Sequence, residues 1–250
     1  NIGMLDKRLD LDFEYPTYDV CVSRAEQADK LRCCDLDVAT FGDYVDITHL
    51  ATETIMAARH GGVSINGSVH VAQEFDQREP IRLGETLSLS GSVTAIEPGA
   101  RGEFITCRFE MSRPDGSVPL VLERLSLRAD PTKQSGAAVS KPRRSDSNRA
   151  TPRLALLSRH QLEPDKVAQF SIEAENLIHS DPEVARQFGF DKPIAGGLMS
   201  VRYMMAHLWR QGPLATLRMS VRFRRPMFWD DELQLHAAGE DRQQLVMLRG

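Results

Sequence analysis

The sequence predicts an α+β protein that consists of two similar halves, and three observations support this prediction. Strand-like segments outnumber helical ones in both halves. Each half also contains a long helix with an apolar face. Finally, residues 78–89 (REPIRLGETLSL) and 224–235 (RRPMFWDDELQL) share Arg, Pro, an acidic residue and two alternating leucines at the same offsets. Solenoid repeats recur roughly every 20–50 residues, so a repeat 146 residues apart indicates a duplicated domain.

The first half is predicted to contain one long helix and an antiparallel sheet. The helix covers residues 44–59, and its apolar residues share one face: Ile47, Leu50, Ala51, Ile55 and Met56. The predicted strands alternate apolar and polar residues or are continuously apolar, and they cover 68–75, 85–96, 102–112 and 118–128. Residues 113–116 (RPDG) have the Pro and Gly positions of a hairpin turn, which favours antiparallel pairing of the strands on either side.

The second half is predicted to repeat this arrangement with shorter elements. Helices are predicted over 181–188 and 198–209. The predicted strands cover 166–174, 215–223, 232–238 and 243–248. Between the halves, the segment from Ala129 to Arg153 has three prolines, four serines and six Lys or Arg, with almost no large apolar residue. Such a composition is typical of a linker. We therefore expect an N-terminal domain over 1–129, a linker over 130–153 and a C-terminal domain over 154–250.

Composition excludes several classes of function. A net charge of -4 and only 6% aromatic residues argue against a nucleic-acid partner. The four cysteines form no CxxC pair and lie near no His at ligand spacing, so we expect no metal site and a reduced, cytoplasmic protein. No run approaches 18 apolar residues, so we expect no membrane partner.

Residues 175–197 (ENLIHSDPEVARQFGFDKPIAGG) contain the candidate site. Residues 180–183 (SDPE) read as a capping box with Ser180 at the cap, which places His179 immediately before a helix. Asn176 is expected near the end of the predicted strand. Gly196 and Gly197 open the next helix, whose first amides lack intrahelical acceptors and are suited to bind a developing oxyanion.

This stretch resembles the MaoC-like (R)-specific enoyl-CoA hydratases and hydroxyacyl-thioester dehydratases, which have the hotdog fold. The family motif runs Ser-Gly-Asp-x-Asn-Pro-Ile-His, then a helix, then Gly-Phe and Pro-Ile-Ala-His-Gly. The matching residues are Asn176, Ile178, His179, Asp181-Pro182, Gly189-Phe190, Pro193-Ile194-Ala195 and Gly197. The resemblance implies a double hotdog, with a degenerate copy in the N-terminal half and the motif in the C-terminal half.

The resemblance also implies an activity, hydration of a 2-enoyl thioester or the reverse dehydration. His179 would be the acid/base, Asn176 the positioning residue, and Gly197 or Gly196 the oxyanion donor. Ile194 and Ala195 would contact the substrate, which is carried on CoA or acyl carrier protein. No cofactor beyond that carrier is implied. Either a monomer or a homodimer of double hotdogs fits the resemblance.

The sequence departs from the family at the catalytic carboxylate, because the family Asp maps to Ala174. Glu173 and Glu175 flank this position and are the candidates to replace the carboxylate, although neighbours on a strand point to the opposite face. Two other functions therefore stay open. One is a non-catalytic protein that binds acyl thioesters, and the other is a hotdog thioesterase in which one glutamate activates water.

Overall fold

The computed structural model describes residues 7–65, 68–133, 154–239 and 244–250. Its helices and strands fall into two series that correspond to the two predicted halves. The N-terminal series is β1 (Glu14–Cys21), α1 (Arg24–Cys33), α2 (Ile47–His60), β2 (Ser68–Gln77), β3 (Thr86–Gly99), β4 (Gly102–Ser112) and β5 (Leu120–Ala129). The C-terminal series is β6 (Leu154–Gln161), α3 (Pro164–Phe170), α4 (Pro182–Gln187), α5 (Gly197–Arg210), β7 (Leu217–Arg222), β8 (Glu232–Ala238) and β9 (Gln244–Arg249).

All strand pairs are antiparallel, and one of them joins the two halves. The larger sheet has the order β1-β3-β4-β5-β2-β7, and the smaller one has the order β6-β8-β9. Strand β7 of the second half pairs with β2 of the first half, with Phe75 opposite Met219. In the described part of the chain, β7 has no partner on its other edge, and β9 pairs only with β8. The N-terminal half has β5 at the corresponding place, between β4 and β2.

The two long helices form the centre of the fold because each has an extensive apolar surface. Helix α2 buries Leu50, Ala51 and Ala57. Helix α5 is more deeply enclosed, since every residue from Leu198 to Ala206 is buried. Most of these side chains belong to one apolar core that also includes residues of β3, β4 and β5. Burial of this kind contributes about 25 cal/mol for each Å² of apolar surface.

The predicted repeat is present in the backbone hydrogen bonds. Val45 N donates to Ile81 O at 2.8 Å, and in the second half Ala195 N donates to Met227 O at the same distance. Isolated bridges join Tyr44 to Arg82 and Ile194 to Phe228, and these residues are the chain neighbours of the hydrogen-bonded ones. Both copies of the repeat thus hold the segment that precedes the long helix. The prediction of an α+β protein with two similar halves is confirmed.

The predicted strand over 166–174 is wrong. Pro164 begins helix α3, and Val167 and Phe170 are buried one helical turn apart. A 3₁₀ helix, Ile172–Ala174, follows directly. The alternation of Phe170, Ile172 and Ala174 favoured a strand, but the side chain of Ile172 is exposed. The site segment therefore leaves a helix, and the rule that neighbours of Ala174 point to opposite faces does not apply.

Other predictions were incomplete at their boundaries. Asp181, not Ser180, caps α4, since its carboxylate accepts hydrogen bonds from Glu183 N and Val184 N. Pro182 then occupies the first helical position, where its missing N–H costs nothing. Strands β1 and β6 and helix α1 were not predicted. Most of the proposed linker lies outside the described residues, and a 3₁₀ helix, Pro131–Lys133, occupies its described start.

Candidate active site

All the candidate residues except Glu175 line a cavity of about 2470 Å³ between the two halves. His179, Asn176, Gly196 and Gly197 line it together with the free edges of β7 and β9. Its apolar wall comes from both halves and includes Ile55, Ile65, Met204 and Leu208. The structure thus places the polar candidates beside an apolar space large enough for an acyl chain.

His179 is fixed in one orientation by a backbone hydrogen bond. It ends a 3₁₀ helix, Leu177–His179, just before α4. Its Nδ1 lies 2.7 Å from the carbonyl oxygen of Ile194. Because a carbonyl oxygen only accepts hydrogen bonds, Nδ1 carries a proton, and Nε2 of the neutral ring is left as a base. Burial lowers the pKa of His179 below its ordinary value of 6.5, and the hydrogen bond to Ile194 opposes this only in part.

The N-terminus of α5 lies beside this ring. A methyl group placed on the Cα of Gly196 would lie 4.0 Å from His179 Cε1. Gly196 is the helix cap, and it has no side chain to accept from the first amides. A methyl group on Gly197 would come within 2.9 Å of the Phe223 ring, so the ring covers the opposite side of the helix start. The Met199 amide donates to Gly196 O, whereas the Gly197 and Leu198 amides have no acceptor among the described residues and are suited to bind an oxyanion in the cavity.

In the N-terminal half, a carboxylate occupies the corresponding helix terminus, the N-terminus of α2. Asp46 caps α2, its carboxylate accepts from Thr48 N at 3.0 Å, and it also pairs with Arg202 of α5 at 3.1 Å. Both side chains of this ion pair are buried. A carboxylate that occupies the helix amides excludes an anionic ligand, so of the two long helices α5 has the open terminus. This difference is consistent with the expectation that the N-terminal half is a degenerate copy, which stays a prediction.

The remaining motif residues hold the backbone in place. Asn176 lines the cavity, and its side-chain oxygen accepts from Ile178 N at 3.4 Å. Ile194 N donates to Ile178 O at 3.1 Å, so the strand-like segment before α5 is attached to the His179 turn on both sides of Ile194. Ala195 is buried and lines the cavity. These residues position the site and present little reactive chemistry themselves.

The two candidate glutamates bind cations of the N-terminal half. The Glu173 carboxylate lies 2.5 Å from Lys30 Nζ, and the Glu175 carboxylate lies 2.7 Å from Arg59. Their side chains are 51% and 71% exposed. Glu173 and Ala174 line the cavity, whereas Glu175 does not. The structure thus gives each glutamate a partner other than His179.

Sequence reasoning missed three residues that shape this site. Lys30 Nζ also donates to Phe170 O at 2.7 Å, and Arg59 donates to Glu173 O at 2.8 Å. Ser171, which lies between these two held carbonyl groups, lines the cavity near Gly196. Lys30 and Arg59 lie more than 100 residues before their partners and belong to no motif, so only the fold brings them here. Ser171 was hidden by the wrong strand prediction.

Residues 141–248 match the family model described as a MaoC like domain. The C-terminal half of this chain is therefore similar to MaoC-like domains. No curated protein sequence matches the chain. Among the described residues, no group of three or more His, Cys, Asp or Glu is arranged to hold a metal ion. In the same part of the chain, no helix is long and apolar enough to cross a membrane.

Solved structures share the fold of the MaoC-like half together with its N-terminal copy. HtdX from Mycobacterium tuberculosis matches with a TM-score of 0.75 at 20% identity, over 93% of this chain and 94% of that chain. A MaoC-like dehydratase from Phytophthora capsici matches with a TM-score of 0.66 at 19% identity, over 98% and 94%. The peroxisomal multifunctional enzyme type 2 from Drosophila melanogaster matches with a TM-score of 0.65 at 18% identity, over 94% of this chain and 47% of that chain. The fold is a double hotdog.

Proposed function

We propose that this protein is a hydro-lyase that hydrates 2-enoyl thioesters, or dehydrates 3-hydroxyacyl thioesters, of CoA or acyl carrier protein. The observation that carries the proposal is the placement of His179. Its ring lies beside Gly196 at the open N-terminus of α5, with Nδ1 bound to Ile194 O and Nε2 left as a base. A base beside an oxyanion-binding terminus suits the addition of water to a conjugated thioester.

A single imidazole can perform both proton transfers. Nε2 of His179 takes a proton from water as the water oxygen bonds to C3 of the enoyl group. The electrons of the C2–C3 double bond then move toward the thioester carbonyl, whose oxygen becomes an enolate that the Gly197 amide, with Gly196, stabilises. The imidazolium finally gives its proton to C2. One water is consumed, and no cofactor beyond the carrier is needed.

The charges around the cavity favour an anionic carrier. Eight cationic side chains line its wall: Arg101, Arg124, Lys133, Arg218, Arg222, Arg224, Arg225 and Arg249. Arg218 pairs with Asp76 at 3.2 Å. Arg224 and Arg225 are exposed and form no ion pair within the described part of the chain. Arginines in such a position suit the phosphates of CoA or of a phosphopantetheine arm. Because one chain supplies both hotdog units, a monomer suffices, and a homodimer is the alternative assembly.

The proposal is tested by following crotonyl-CoA and a longer 2-enoyl-CoA through the loss of conjugated-enoyl absorbance. We expect turnover by the wild type and a loss of roughly 10²–10⁴-fold in His179→Gln. His207→Gln is the matched control, because this histidine lies near the other end of α5 and contacts Gln211. Equal activity in wild type and His179→Gln would exclude the proposed chemistry.

A second candidate function is supported by Ala174. An alanine at the family carboxylate position cannot transfer a proton, and both neighbouring glutamates are paired with cations. These observations favour a non-catalytic protein that binds acyl thioesters. A wild type that binds butyryl-CoA, but neither hydrates nor hydrolyses crotonyl-CoA, would support this function. A thioesterase has less support, because neither glutamate is free to activate water.

A further inference from the structure

We propose that Ser171 is a further catalytic residue, whose hydroxyl group holds the oxygen atom that is added at C3 of the substrate. This inference rests on the proposed function of the His179 site. Its basis is one spatial relationship. The position that a methyl group on Gly196 would occupy lies 3.3 Å from Ser171 Oγ and 4.0 Å from His179 Cε1. Ser171 Oγ and the His179 ring therefore both lie beside Gly196 at the N-terminus of α5.

These two side chains border the part of the cavity that faces the Gly196 Cα. Gly196 has no Cβ, so the position between Ser171 Oγ and the His179 ring is free of the residue's own side chain. In the proposed arrangement, a water molecule on the cavity side of Gly196 makes hydrogen bonds of about 2.8 Å to Ser171 Oγ and to His179 Nε2. Ser171 and His179 both line the cavity, so a substrate can reach this position.

The Ser171 hydroxyl is available for this contact. Ser171 precedes the 3₁₀ helix Ile172–Ala174 as its cap, yet its side chain makes no capping hydrogen bond. The neighbouring backbone is held on both sides, since Lys30 binds Phe170 O and Arg59 binds Glu173 O. The hydroxyl is thus placed in the cavity on a backbone with restricted motion, as an effective binding group requires.

The chemistry expected of Ser171 is limited to hydrogen bonding. An alcohol is too weak an acid to be ionised near neutral pH, so Ser171 does not replace the proton transfer of a carboxylate. Its oxygen can accept a hydrogen bond from the incoming water, which leaves the other O–H of that water directed at His179 Nε2. In the reverse reaction the same oxygen accepts from the 3-hydroxyl group of the substrate. Ser171 therefore orients the oxygen, and His179 moves the proton.

Binding of two CoA esters tests this contact without relying on turnover. The probes are 3-hydroxybutyryl-CoA and butyryl-CoA, which differ only by the 3-hydroxyl group. We expect Ser171→Ala to weaken 3-hydroxybutyryl-CoA about fivefold, the loss typical of one neutral hydrogen bond, and to leave butyryl-CoA nearly unchanged. Ser171→Thr keeps the hydroxyl and should recover part of the difference. Ser180→Ala is the control, because Ser180 is exposed and does not line the cavity.

Kinetics provide the second arm of the test. We expect Ser171→Ala to lower kcat for crotonyl-CoA hydration by about tenfold or more with little change in KM. A variant that weakens both esters alike, or that alters neither binding nor kcat, would overturn the assignment of Ser171. If Ser171→Ala gives either of these results while the wild type hydrates crotonyl-CoA, the proposed function is kept and only the role of Ser171 is rejected. If the wild type neither binds the esters nor hydrates crotonyl-CoA, the proposed function has failed, and the inference fails with it.

Discussion

The Nδ1 atom of His179 lies 2.7 Å from the carbonyl oxygen of Ile194, and this hydrogen bond joins the two ends of the site motif. It fixes the ring beside Gly196 and determines which nitrogen faces the cavity as a base. The same contact requires a proton on Nδ1, so the second proton of an imidazolium must reside on Nε2. The backbone contact of Nδ1 thus makes Nε2 the atom that gains and loses the proton in the proposed reaction.

The pH dependence of hydration should report this atom. Only neutral His179 can accept a proton from water, so kcat/KM should fall when the ring becomes protonated. Because burial lowers the pKa of His179, we expect the midpoint of the fall in kcat/KM to lie below the ordinary imidazole value of 6.5. Initial rates with crotonyl-CoA between pH 5 and 9 check this. A midpoint above pH 7 would contradict the burial of the ring.

Stability should also depend on pH, and the two effects must be separated. Burial lowers the pKa of His49 and of His70 to about 3 in the folded protein. Unfolded histidines have pKa values near 6.5, so below that pH the unfolded state binds more protons than the folded state. The free energy of unfolding should therefore fall as the pH is lowered from about 6.5 toward 3. Urea unfolding at several pH values measures this, and His70→Phe should reduce the slope.

The fold was predictable where the sequence had regular periods. Residues 102–112 and 232–238 were predicted as strands with the bounds that β4 and β8 have. The repeat predicted two similar halves because the paired segments around Ile81 and Met227 have the same chemistry at the same spacing. Strand β6 was missed, since Leu154 and Leu156 are both exposed and the segment lacks the alternation of a half-buried strand.

The candidate site could be predicted only as far as the motif reached. The local spacing pointed to His179, Asn176 and Gly196, which line one cavity, and their roles stay predictions. The partners of Glu173 and Glu175 were not predicted, because Lys30 and Arg59 come from the other half of the fold. Long-range ion pairs leave no pattern in one sequence. Ala174 raises the question of which group takes the place of the family carboxylate. Ser171 became a candidate only when the structure placed it beside Gly196.

Substitution of the two glutamates distinguishes a structural role from a catalytic one. Since Glu173 binds Lys30 and Glu175 binds Arg59, we expect Glu173→Gln and Glu175→Gln to lower kcat by much less than the roughly 10²-fold that loss of a proton-transfer group costs. Both glutamates are largely exposed, so the loss of stability should stay below about 1 kcal/mol each. Crotonyl-CoA kinetics and urea unfolding measure the two effects. A collapse of kcat in Glu173→Gln would instead make Glu173 the missing carboxylate.

The two glycines at the start of α5 should respond differently to alanine. In Gly196→Ala the new methyl group lies 3.3 Å from Ser171 Oγ, a close contact that rotation of the hydroxyl group relieves, and 4.0 Å from His179 Cε1, so the protein should fold with the space beside the ring filled. We expect hydration to be lost with nearly unchanged stability. In Gly197→Ala the methyl group meets the Phe223 ring at 2.9 Å, which should destabilise the fold by about 1–3 kcal/mol. Thermal unfolding combined with kinetics separates the pair, and similar stability losses in both variants would contradict this geometry.

The buried pair of Asp46 and Arg202 should stabilise the packing of α2 against α5. The side chains are 0% and 1% exposed, and they join the cap of one helix to the middle of the other. Arg202→Met leaves the Asp46 carboxylate without its partner, so we expect a loss of about 3–5 kcal/mol in the free energy of unfolding.

A second substitution shows whether that loss comes from the isolated charge. Asn is a good helix cap, so Asp46→Asn should keep the bond to Thr48 N while removing the charge. In the double variant neither buried charge is left unpaired, and we expect part of the stability lost in Arg202→Met to return. Urea unfolding of the wild type, both single variants and the double variant gives the coupling energy. Strictly additive losses would mean that the two side chains contribute independently, and that packing rather than charge pairing holds the two helices together.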